Sequence, residues 1–365
     1  MPFFENTPAY RPPVAIVTMP ARKVPTLAEL GIRVIENIKT SVLIQGLLAK
    51  DKVTVRDTGC GAFVPTGTLA KWVTNEISVD KLMAQDQDCA ETFEGTILQG
   101  MLAAGHATDS DLTGTQIEEL VRTYLEGGVA ALSVEDQGII GDLLDLALND
   151  MVTPTVYRDA IRVWMLGDRT NASKDYNQTD GIRKKLLAKN PTADSTAGNG
   201  MYRAANIDFA ALKANPAEIE DLLEDLTQNC SDELQDIDED QKAIFLTKSL
   251  YALAKKRAQT KPTLEDPKEE TKLVYDAATK TLTYDGLLIK QLKVWEQFMK
   301  ADFPAASPHL ALYTLPRNLI WATDLESDMT TAEFKYESKE RINWWRVLFR
   351  LGSGFAYDIL VAFAV

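Results

Sequence analysis

The chain ends with Ile342-Asn-Trp-Trp-Arg-Val-Leu-Phe-Arg-Leu-Gly-Ser-Gly-Phe-Ala-Tyr-Asp-Ile-Leu-Val-Ala-Phe-Ala-Val365, and this segment gives the strongest indication of secondary structure in the sequence. Its first half alternates with period two, which predicts a β-strand. The residues on one face are apolar, namely Trp345, Val347, Phe349 and Leu351. Gly352-Ser353-Gly354 predicts a break in this strand, as at a bulge or a close approach between backbones. The last eight residues, from Asp358, are almost wholly apolar, and their burial requires a sheet or a neighbouring subunit. The stretch therefore predicts terminal strands locked into a sheet, which fits a structural protein better than a typical enzyme.

Composition narrows the class of protein. The chain has 365 residues, of which 45% are hydrophobic, so it can form one large domain or two ordinary ones. Its net charge of −14 argues against a nucleic-acid-binding surface made of lysine and arginine. The longest apolar stretch, residues 355–365, is shorter than the roughly 20 residues that a membrane span needs. Three cysteines without close spacing offer no disulfide framework, and the first six residues lack a signal-peptide pattern. We therefore expect a protein made in a reducing cytoplasm, with no membrane partner.

The N-terminal part is predicted to be extended. Prolines spread over residues 1–40 exclude a continuous helix and indicate an arm that lies across something else: Pro8, Pro12, Pro13, Pro20 and Pro25. A hairpin is predicted next, because residues 52–56 alternate, 57–61 read as a turn and 62–64 lead to a second turn.

Helices are predicted to dominate the middle of the chain. Apolar residues recur at helical spacing in 117–125, in 139–147 and in 156–164, where Gly167 predicts the helix end. Asn215-Pro216 predicts the start of a helix whose apolar stripe is Ile219, Leu222, Leu223 and Leu226. A further helix is predicted over 241–257, an exposed loop over 171–200 and a charged linker over 261–272. With terminal strands following these helices, the order of elements predicts an α+β fold.

Residues able to carry out catalysis are few. His106 and His309 are far apart in sequence, and each is better interpreted as a packed or surface histidine than as a catalytic one. Ser353 does not stand in the G-x-S-x-G turn that presents a nucleophilic serine. Cys60 and Cys89 lack a nearby cysteine or histidine, so the sequence predicts no zinc site.

Two acidic clusters are candidates for metal binding. Asp236, Asp238 and Asp240 are spaced as in a calcium loop, but Gln241 replaces the turn glycine and Thr247 replaces the bidentate glutamate. This segment is therefore interpreted as a solvated face. Residues 324–328, Asp-Leu-Glu-Ser-Asp, could bind a metal, and they are more simply interpreted as a turn between strands. We predict no catalytic, cofactor-binding or metal-binding residue.

The C-terminal third resembles a known family in its order of motifs. The order is Thr283-Tyr-Asp-Gly-Leu-Leu-Ile289, then Trp295-Glu296, then Asn318-Leu-Ile-Trp-Ala-Thr-Asp324 and the paired terminal strands. It is similar to that of tailed-bacteriophage major capsid proteins with the Hong Kong phage-type fold, in particular those of Bacteroidota (crAss-like) phages. Glu296 stands where the family pattern has aspartate, and Ala322 where it has glycine. Val163-Trp-Met-Leu-Gly-Asp168 resembles the element that precedes the axial domain of the same family.

The resemblance implies a division of the chain. It implies an N-terminal arm at 1–40, an extended β-hairpin loop at 41–90, and a peripheral domain with a spine helix at 91–168. An axial domain at 169–325 and a return to the peripheral domain at 326–365, with the terminal strands, would follow. Inter-subunit contacts are then expected from seven residues of the hairpin and the terminal strand: Lys52, Val55, Phe63, Trp72, Trp344, Trp345 and Arg346.

The function implied by the resemblance is structural. The chain would assemble into hexamers and pentamers that form an icosahedral phage head around double-stranded DNA, so its place would be the virion, made in the host cytoplasm. Other copies of itself, a scaffold, a portal and minor or decoration proteins would be its partners, with DNA held only by weak non-specific contact and no cofactor. Two alternatives remain open: an encapsulin-type nanocompartment shell, and a metal-dependent cytosolic enzyme that uses the carboxylates of 324–328.

Overall fold

The computed structural model describes residues 27–49, 70–89, 153–259, 271–324, 332–337 and 342–365. These residues divide into two compact units. The large unit contains the described residues within 24–82, 158–325 and 350–365, and the small unit contains those within 83–157 and 326–349. The predicted helices at 117–125 and 139–147, the strands at 52–64, His106, Cys60 and most of the predicted linker lie outside the described residues.

Helices and strands are mixed along the chain. The helices are α1 Leu27–Leu30, α2 Thr153–Leu166, α3 Ile182–Lys189, α4 Phe209–Ala214, α5 Glu218–Gln228, α6 Asp232–Gln235, α7 Lys248–Gln259 and α8 Trp295–Asp302. The strands are β1 Arg33–Ile35, β2 Ser41–Ala49, β3 Ala70–Ser78, β4 Asp80–Cys89, β5 Ser195–Thr196, β6 Tyr202–Arg203, β7 Ala243–Thr247, β8 Leu273–Asp276, β9 Thr281–Tyr284, β10 Leu287–Leu292, β11 Ala311–Thr314, β12 Leu319–Ala322, β13 Ala332–Glu337, β14 Ile342–Phe355 and β15 Val361–Ala364. This mixture agrees with the predicted α+β class.

An eight-stranded sheet forms the core of the large unit, in the order β5-β6-β15-β11-β7-β10-β9-β8. Strands β7 and β10 are parallel, while β11 runs antiparallel to both β7 and β15. Every residue of β7, β11 and β15 is buried. Helices α5 and α7 cover one face of this sheet through an apolar cluster that includes Ile219, Leu223 and Leu250.

A second sheet in the large unit joins β1, β12 and the C-terminal half of β14. Strand β1 pairs parallel with β12, and β12 pairs antiparallel with residues 352–355 of β14. In the small unit, β13 pairs antiparallel with the N-terminal half of β14, over residues 342–347. Between Arg346 and Leu351 the odd-numbered residues are buried and the even-numbered ones are more exposed, which confirms the predicted alternation.

The break predicted at Gly352-Ser353-Gly354 does not occur, because β14 continues through Phe355. What these residues provide is the other predicted feature, a close backbone approach. A Cβ at Gly352 would lie 2.4 Å from the carbonyl oxygen of Ser78, so only glycine fits there. Ser353 is fully buried, and its hydroxyl donates to the carbonyl oxygen of Asp180 at 2.6 Å.

The C-terminal residues are locked into a sheet, as predicted. Strand β15 lies between β11 and β6, and Val361–Val365 are at most 8% exposed. A neighbouring subunit is therefore not required to bury the apolar tail, since the chain's own sheet covers it.

Three local predictions are wrong in part. Residues 243–247 form the central strand β7 and not the start of a helix; all five are buried, and a strand covered on both faces shows no alternation. The predicted exposed loop at 171–200 contains α3, which buries Ile182 and Leu186 one turn apart. Helix α5 begins at Glu218, two residues after Pro216, although its predicted stripe is correct, with Ile219, Leu223 and Leu226 fully buried.

Candidate functional site

The large unit contains a two-stranded ribbon made of β2 and β3. The strands pair antiparallel in continuous register over residues 41–49 and 70–78, and they form a sheet of their own. Exposure alternates at the ribbon's base: Leu43 is 55% exposed, whereas Val42 and Ile44 on either side of it are partly buried. One face of the base therefore packs on the large unit, and the opposite face is exposed.

An apolar cluster holds the packed face of the ribbon. Its buried members are Ile38, Ile77, Val79, Ile320, Ala322 and Ala356, with Ile35, Val42, Ile44 and Tyr357 packed against them. Ile77 of β3 is only 1% exposed, and Ile320 of β12 is fully buried. The cluster thus joins the base of the ribbon to the second sheet.

A glycine brings the ribbon against an aromatic ring. A Cβ at Gly46 would lie 2.0 Å from Cε1 of Tyr357, well inside van der Waals contact, so the ring occupies the space that any other side chain would need. A glycine inside an apolar strand pattern is a known sign of close approach, so this contact had a signal in the sequence.

A polar anchor fixes the same part of the ribbon. The Asn75 amide donates to the carbonyl oxygen of Phe355 at 3.0 Å and to Oδ1 of Asp358 at 2.8 Å. Nζ of Lys189 donates to Oδ1 of Asn75 at 2.8 Å and to Oδ2 of Asp358 at 2.6 Å. The Lys189 and Asp358 side chains are 27% and 15% exposed, so the ion pair is largely removed from water. These residues form one network, named here the ribbon anchor, which the sequence did not indicate because its members are far apart along the chain.

Helix α3 supplies a second lysine on the same face, since Lys185 lies one turn before Lys189. Its ammonium donates to the carbonyl oxygen of Ser353 in β14. Burial lowers the pKa of Lys185 to about 8; Lys189 and Arg169 also lower this pKa, while the nearby carboxylates of Asp180 and Asp80 oppose the shift. The two lysines therefore tie α3 to β14 and to the ribbon.

Of the seven residues predicted to contact another subunit, three lie outside the described residues, and the others are located here by their strand pairing. Lys52, Val55 and Phe63 lie outside the described residues. Trp72 stands in β3 opposite Leu47. In the small unit, Trp344 stands opposite Lys335, Trp345 opposite Phe334, and half-buried Arg346 opposite Glu333. Contact of these residues with another subunit stays a prediction.

His309 lies in a closed polar cluster that the sequence did not reveal. Its Nδ1 is 2.9 Å from the hydroxyl of Ser249, and its ring stacks on Phe209 at 4.1 Å. Burial lowers its pKa; the Glu296 carboxylate opposes this shift, and Lys300 adds to it. Oε2 of Glu296 accepts from the backbone N–H of Ser249 at 2.6 Å.

A serine beside a histidine is the pair found in nucleophilic catalysis, but the hydrogen bonds of this cluster do not follow the catalytic arrangement. Burial raises the pKa of Glu296, but hydrogen bonds from Lys300 and Ser249 outweigh it, so the net pKa is lowered. That carboxylate is hydrogen-bonded to the backbone of Ser249 and to Lys300, and no described contact joins it to the imidazole that it would have to orient. His309 is only 6% exposed and is covered by Phe209, so substrate has no access.

The other candidate residues build no metal or thiol site within the part of the chain that is described. There, no three histidine, cysteine, aspartate or glutamate residues are grouped to hold an ion. Asp236, Asp238 and Asp240 are all exposed, as the interpretation of a solvated face required. The Asp324 carboxylate lies 3.6 Å from Nε of Arg350. Cys230 is buried, and burial raises the pKa of its thiol to about 11.

Comparisons with known proteins complete the description. Among the described helices, none has the length and apolarity needed to cross a bilayer. No family model matches the chain, and no relative was found among curated proteins. Solved structures of phage capsids align over nearly the whole chain, at TM-scores below 0.5 and identities near a tenth. The capsid of Myoviridae phage XM1 aligns at a TM-score of 0.48 and 12% identity, covering 96% of this chain and 94% of that one.

Two further alignments are of the same kind. The satellite phage P4 procapsid aligns at a TM-score of 0.43 and 11% identity, covering 92% of both chains. The capsid of an empty GTA particle aligns at a TM-score of 0.45 and 12% identity, covering 94% of this chain and 96% of that one. At these values the alignments do not establish a shared fold.

Proposed function

We propose that this chain is the subunit of a self-assembling shell, the major capsid protein of a tailed phage. The observation that carries the proposal is the ribbon of β2 and β3. A two-stranded sheet is marginal by itself in water, and here a built anchor holds its base while its other face is exposed. Such an element gains its stability when another copy covers it, which is the task of an extended loop in a shell.

The order of motifs from Thr283 to Val365 supports the same function. Two of these motifs lie in the framework that carries the ribbon: Asn318–Asp324 contains β12, and the terminal stretch contains β14 and Tyr357. The polar cluster around Ser249 also serves structure, since the hydroxyl of this serine bonds to His309 and its backbone N–H donates to Glu296. A shell subunit needs no chemistry beyond these contacts.

In its finer form, the proposal is that hexamers and pentamers of this chain close an icosahedral head around double-stranded DNA. The arm at 1–40 and the ribbon would each cover a neighbour, and residues 169–325 would meet their copies around the centre of each capsomer. Many contacts of modest area, each worth roughly 25 cal/mol per Å² of buried apolar surface, together close a shell. Scaffold, portal and minor or decoration proteins would be further partners, and the acidic chain would hold packaged DNA only weakly.

Two other functions remain as alternatives. An encapsulin-type nanocompartment shell would use the same assembly contacts, and its particles would hold an enzyme cargo and no DNA. A metal-dependent enzyme would need the carboxylates of 324–328; of these, Asp324 already faces Arg350. Stoichiometric metal in the purified protein would favour the enzyme.

The test is to express the full chain and examine it by negative-stain electron microscopy and sedimentation. We expect closed shells, tubes or capsomer rings. A chain that stays monomeric or dimeric after scaffold or crowding agent is added would overturn the proposal. The nucleic acid and protein content of any shells would then separate a phage head from a nanocompartment.

A further inference from the structure

Charge is distributed unevenly over the large unit. Residues 218–240 carry eleven carboxylates and no lysine or arginine. Six of these carboxylates lie within Asp232–Asp240, and all six belong to exposed residues that make no ion pair among the described residues. The next cation along the sequence is buried Lys242, whose ammonium donates to the carbonyl oxygen of Gln235 at 3.1 Å. We name Asp232–Asp240 the acidic end.

A cluster of arginines stacked on aromatic rings forms a contrasting feature. The Arg158 and Arg162 guanidinium groups lie over the ring of Phe298 at 5.6 and 5.8 Å. Arg183 lies over Phe303 at 5.9 Å, and Phe303 in turn meets the ring of Tyr176 at 4.7 Å. We name these six residues the arginine end. Arginine and aromatic residues are the types most enriched where protein interfaces are strongest.

Arg183 is the uncompensated member of this cluster. Arg162 pairs with Asp159, and Asp302 accepts from the Tyr176 hydroxyl. Burial lowers the pKa of Arg183, and the Asp168 carboxylate opposes this shift. That carboxylate is already paired with Lys184 at 2.6 Å. Nε of Arg183 is buried without a hydrogen-bond partner, and the residue makes no ion pair within the described part of the chain. Because its Nε is buried, an acidic partner would have to pair with the terminal nitrogens of this half-buried guanidinium.

The two ends lie at opposite ends of the same strands. The acidic end leads directly into β7, and Ser231 just before it donates to the carbonyl oxygen of Ile359, just before β15. The arginine end surrounds α8, which follows the C-terminal end of β10. Because β7 and β10 are parallel, the acidic end lies where these strands begin and the arginine end where they finish. A β-strand rises about 3.3 Å per residue, so the six residues of β10 separate the ends by roughly 20 Å.

We propose that the arginine end is a docking surface for the acidic end of a second copy of this chain. Charge complementarity identifies the occupant, since Arg183 of the arginine end makes no ion pair among the described residues and the acidic end presents six exposed carboxylates at the other end of the same strands. A contact between opposite ends of identical subunits is heterologous, and such contacts close into rings when the rotation allows. This inference rests on the proposed function and names the contact that joins neighbours within a capsomer.

The test compares two charge-reversed variants of the full chain. Arg183→Glu puts a carboxylate in place of the unpaired cation of the arginine end, and the fourfold change Asp236→Lys, Asp238→Lys, Glu239→Lys and Asp240→Lys leaves four lysines against two carboxylates in the acidic end. Like charges placed opposite each other should raise the protein concentration needed for assembly at low salt by about tenfold or more in each variant. The control is Lys213→Glu, because Lys213 is exposed in α4 and this change alters the net charge by as much as Arg183→Glu. It should assemble like the wild type, and near-ultraviolet circular dichroism should show all variants folded.

Mixing the two reversed variants tests whether the contact is between copies. If they alternate around a ring, every contact again joins opposite charges, so six-membered rings should return at the wild-type concentration. A five-membered ring cannot alternate, so the mixture should form rings, sheets or tubes and few closed shells. The variant carrying all five substitutions in one chain should form six-membered rings and closed shells again.

The results separate this contact from the proposed function. If the wild type assembles and the reversed variants do so at the same concentration, or if their mixture fails to restore six-membered rings, the contact is overturned and the shell function stands. A wild type that forms neither rings nor shells overturns both.

Discussion

Replacing Lys189 by methionine should release the base of the ribbon while the large sheet stays folded. Methionine keeps the apolar stem of the side chain and removes the ammonium that donates to Asn75 and Asp358. A fully buried pair costs about 3–5 kcal/mol when one partner is removed, and an exposed pair about 0–1 kcal/mol. With side chains 27% and 15% exposed, the Lys189–Asp358 pair lies between these cases, and we expect a loss of about 2 kcal/mol.

Hydrogen exchange on the unassembled chain measures this loss where it arises. A cost of about 2 kcal/mol corresponds to roughly thirtyfold faster exchange of the amides in β2 and β3 that the anchor protects. Amides of β7 and β11, at the centre of the large sheet, should keep their protection. The matched control is Lys184→Met, which removes a more exposed ion pair of the same helix, with Asp168. It should cost less than about 1 kcal/mol and leave the ribbon unchanged.

A double-mutant cycle with Asp358→Asn isolates the ion pair from other effects. The coupling between Lys189→Met and Asp358→Asn should be about 1 kcal/mol or more, because the two side chains are in direct contact. Coupling near zero, or faster exchange spread equally over the ribbon and the large sheet, would refute the reasoning that this network is a local anchor.

Three further predictions concern packing, pH and salt. Gly46→Ala should destabilise the ribbon by about 1–3 kcal/mol, because the new methyl group would overlap the ring of Tyr357. Adding Tyr357→Ala in the same chain should relieve this strain. Chemical denaturation of the single and the double variant measures both effects. Because burial lowers the folded-state pKa of Lys185 to about 8, below its ordinary value of 10.5, the folded chain releases this proton at lower pH than the unfolded chain does. The free energy of unfolding should therefore rise with pH across this window. Between pH 8 and pH 10, the wild type's free energy of unfolding should increase by about 2 kcal/mol relative to that of Lys185→Met, as measured by denaturant titration. A difference between the two proteins that stays constant with pH would contradict this expectation. Salt should first assist assembly by screening the net charge of −14 and then weaken it by screening the contact between the acidic and arginine ends, giving an optimum in light scattering, whereas Arg183→Glu should show only the assisting phase.

Some of the fold could be predicted from the sequence because the evidence for it is local. The alternation around Val347 and Phe349 gave the terminal strand, and the spacing of Ile219, Leu223 and Leu226 gave the buried face of α5. In each case one face is buried and the other exposed, so the period of the apolar residues reports the secondary structure.

Other parts could not be predicted, for physical reasons that differ. Strand β7 is buried on both faces, so its continuous apolar run resembles the buried part of a helix. Helix α3 is short and rich in lysine, and its two buried residues, Ile182 and Leu186, give too weak a period to recognise. The ribbon anchor joins residues that are 283 positions apart, as between Asn75 and Asp358, and no local pattern records such a contact.

The ribbon and the C-terminal strand bury extended chain in opposite ways, and this difference bears on the proposed assembly. Strand β15 has a neighbour on each side and is covered by the chain itself, so it leaves nothing for another subunit to gain. The ribbon has only its own two strands in the described sheet and an exposed face that includes Leu43, yet its base is held by an ion pair, an amide and a close glycine contact. An element that is firmly attached but exposed on one face has apolar area left to bury against a partner, and a two-stranded sheet by itself is only marginally stable. If the chain assembles as proposed, the ribbon should contribute buried area and the apolar tail should not, so shortening the ribbon should abolish shells while the large sheet still folds.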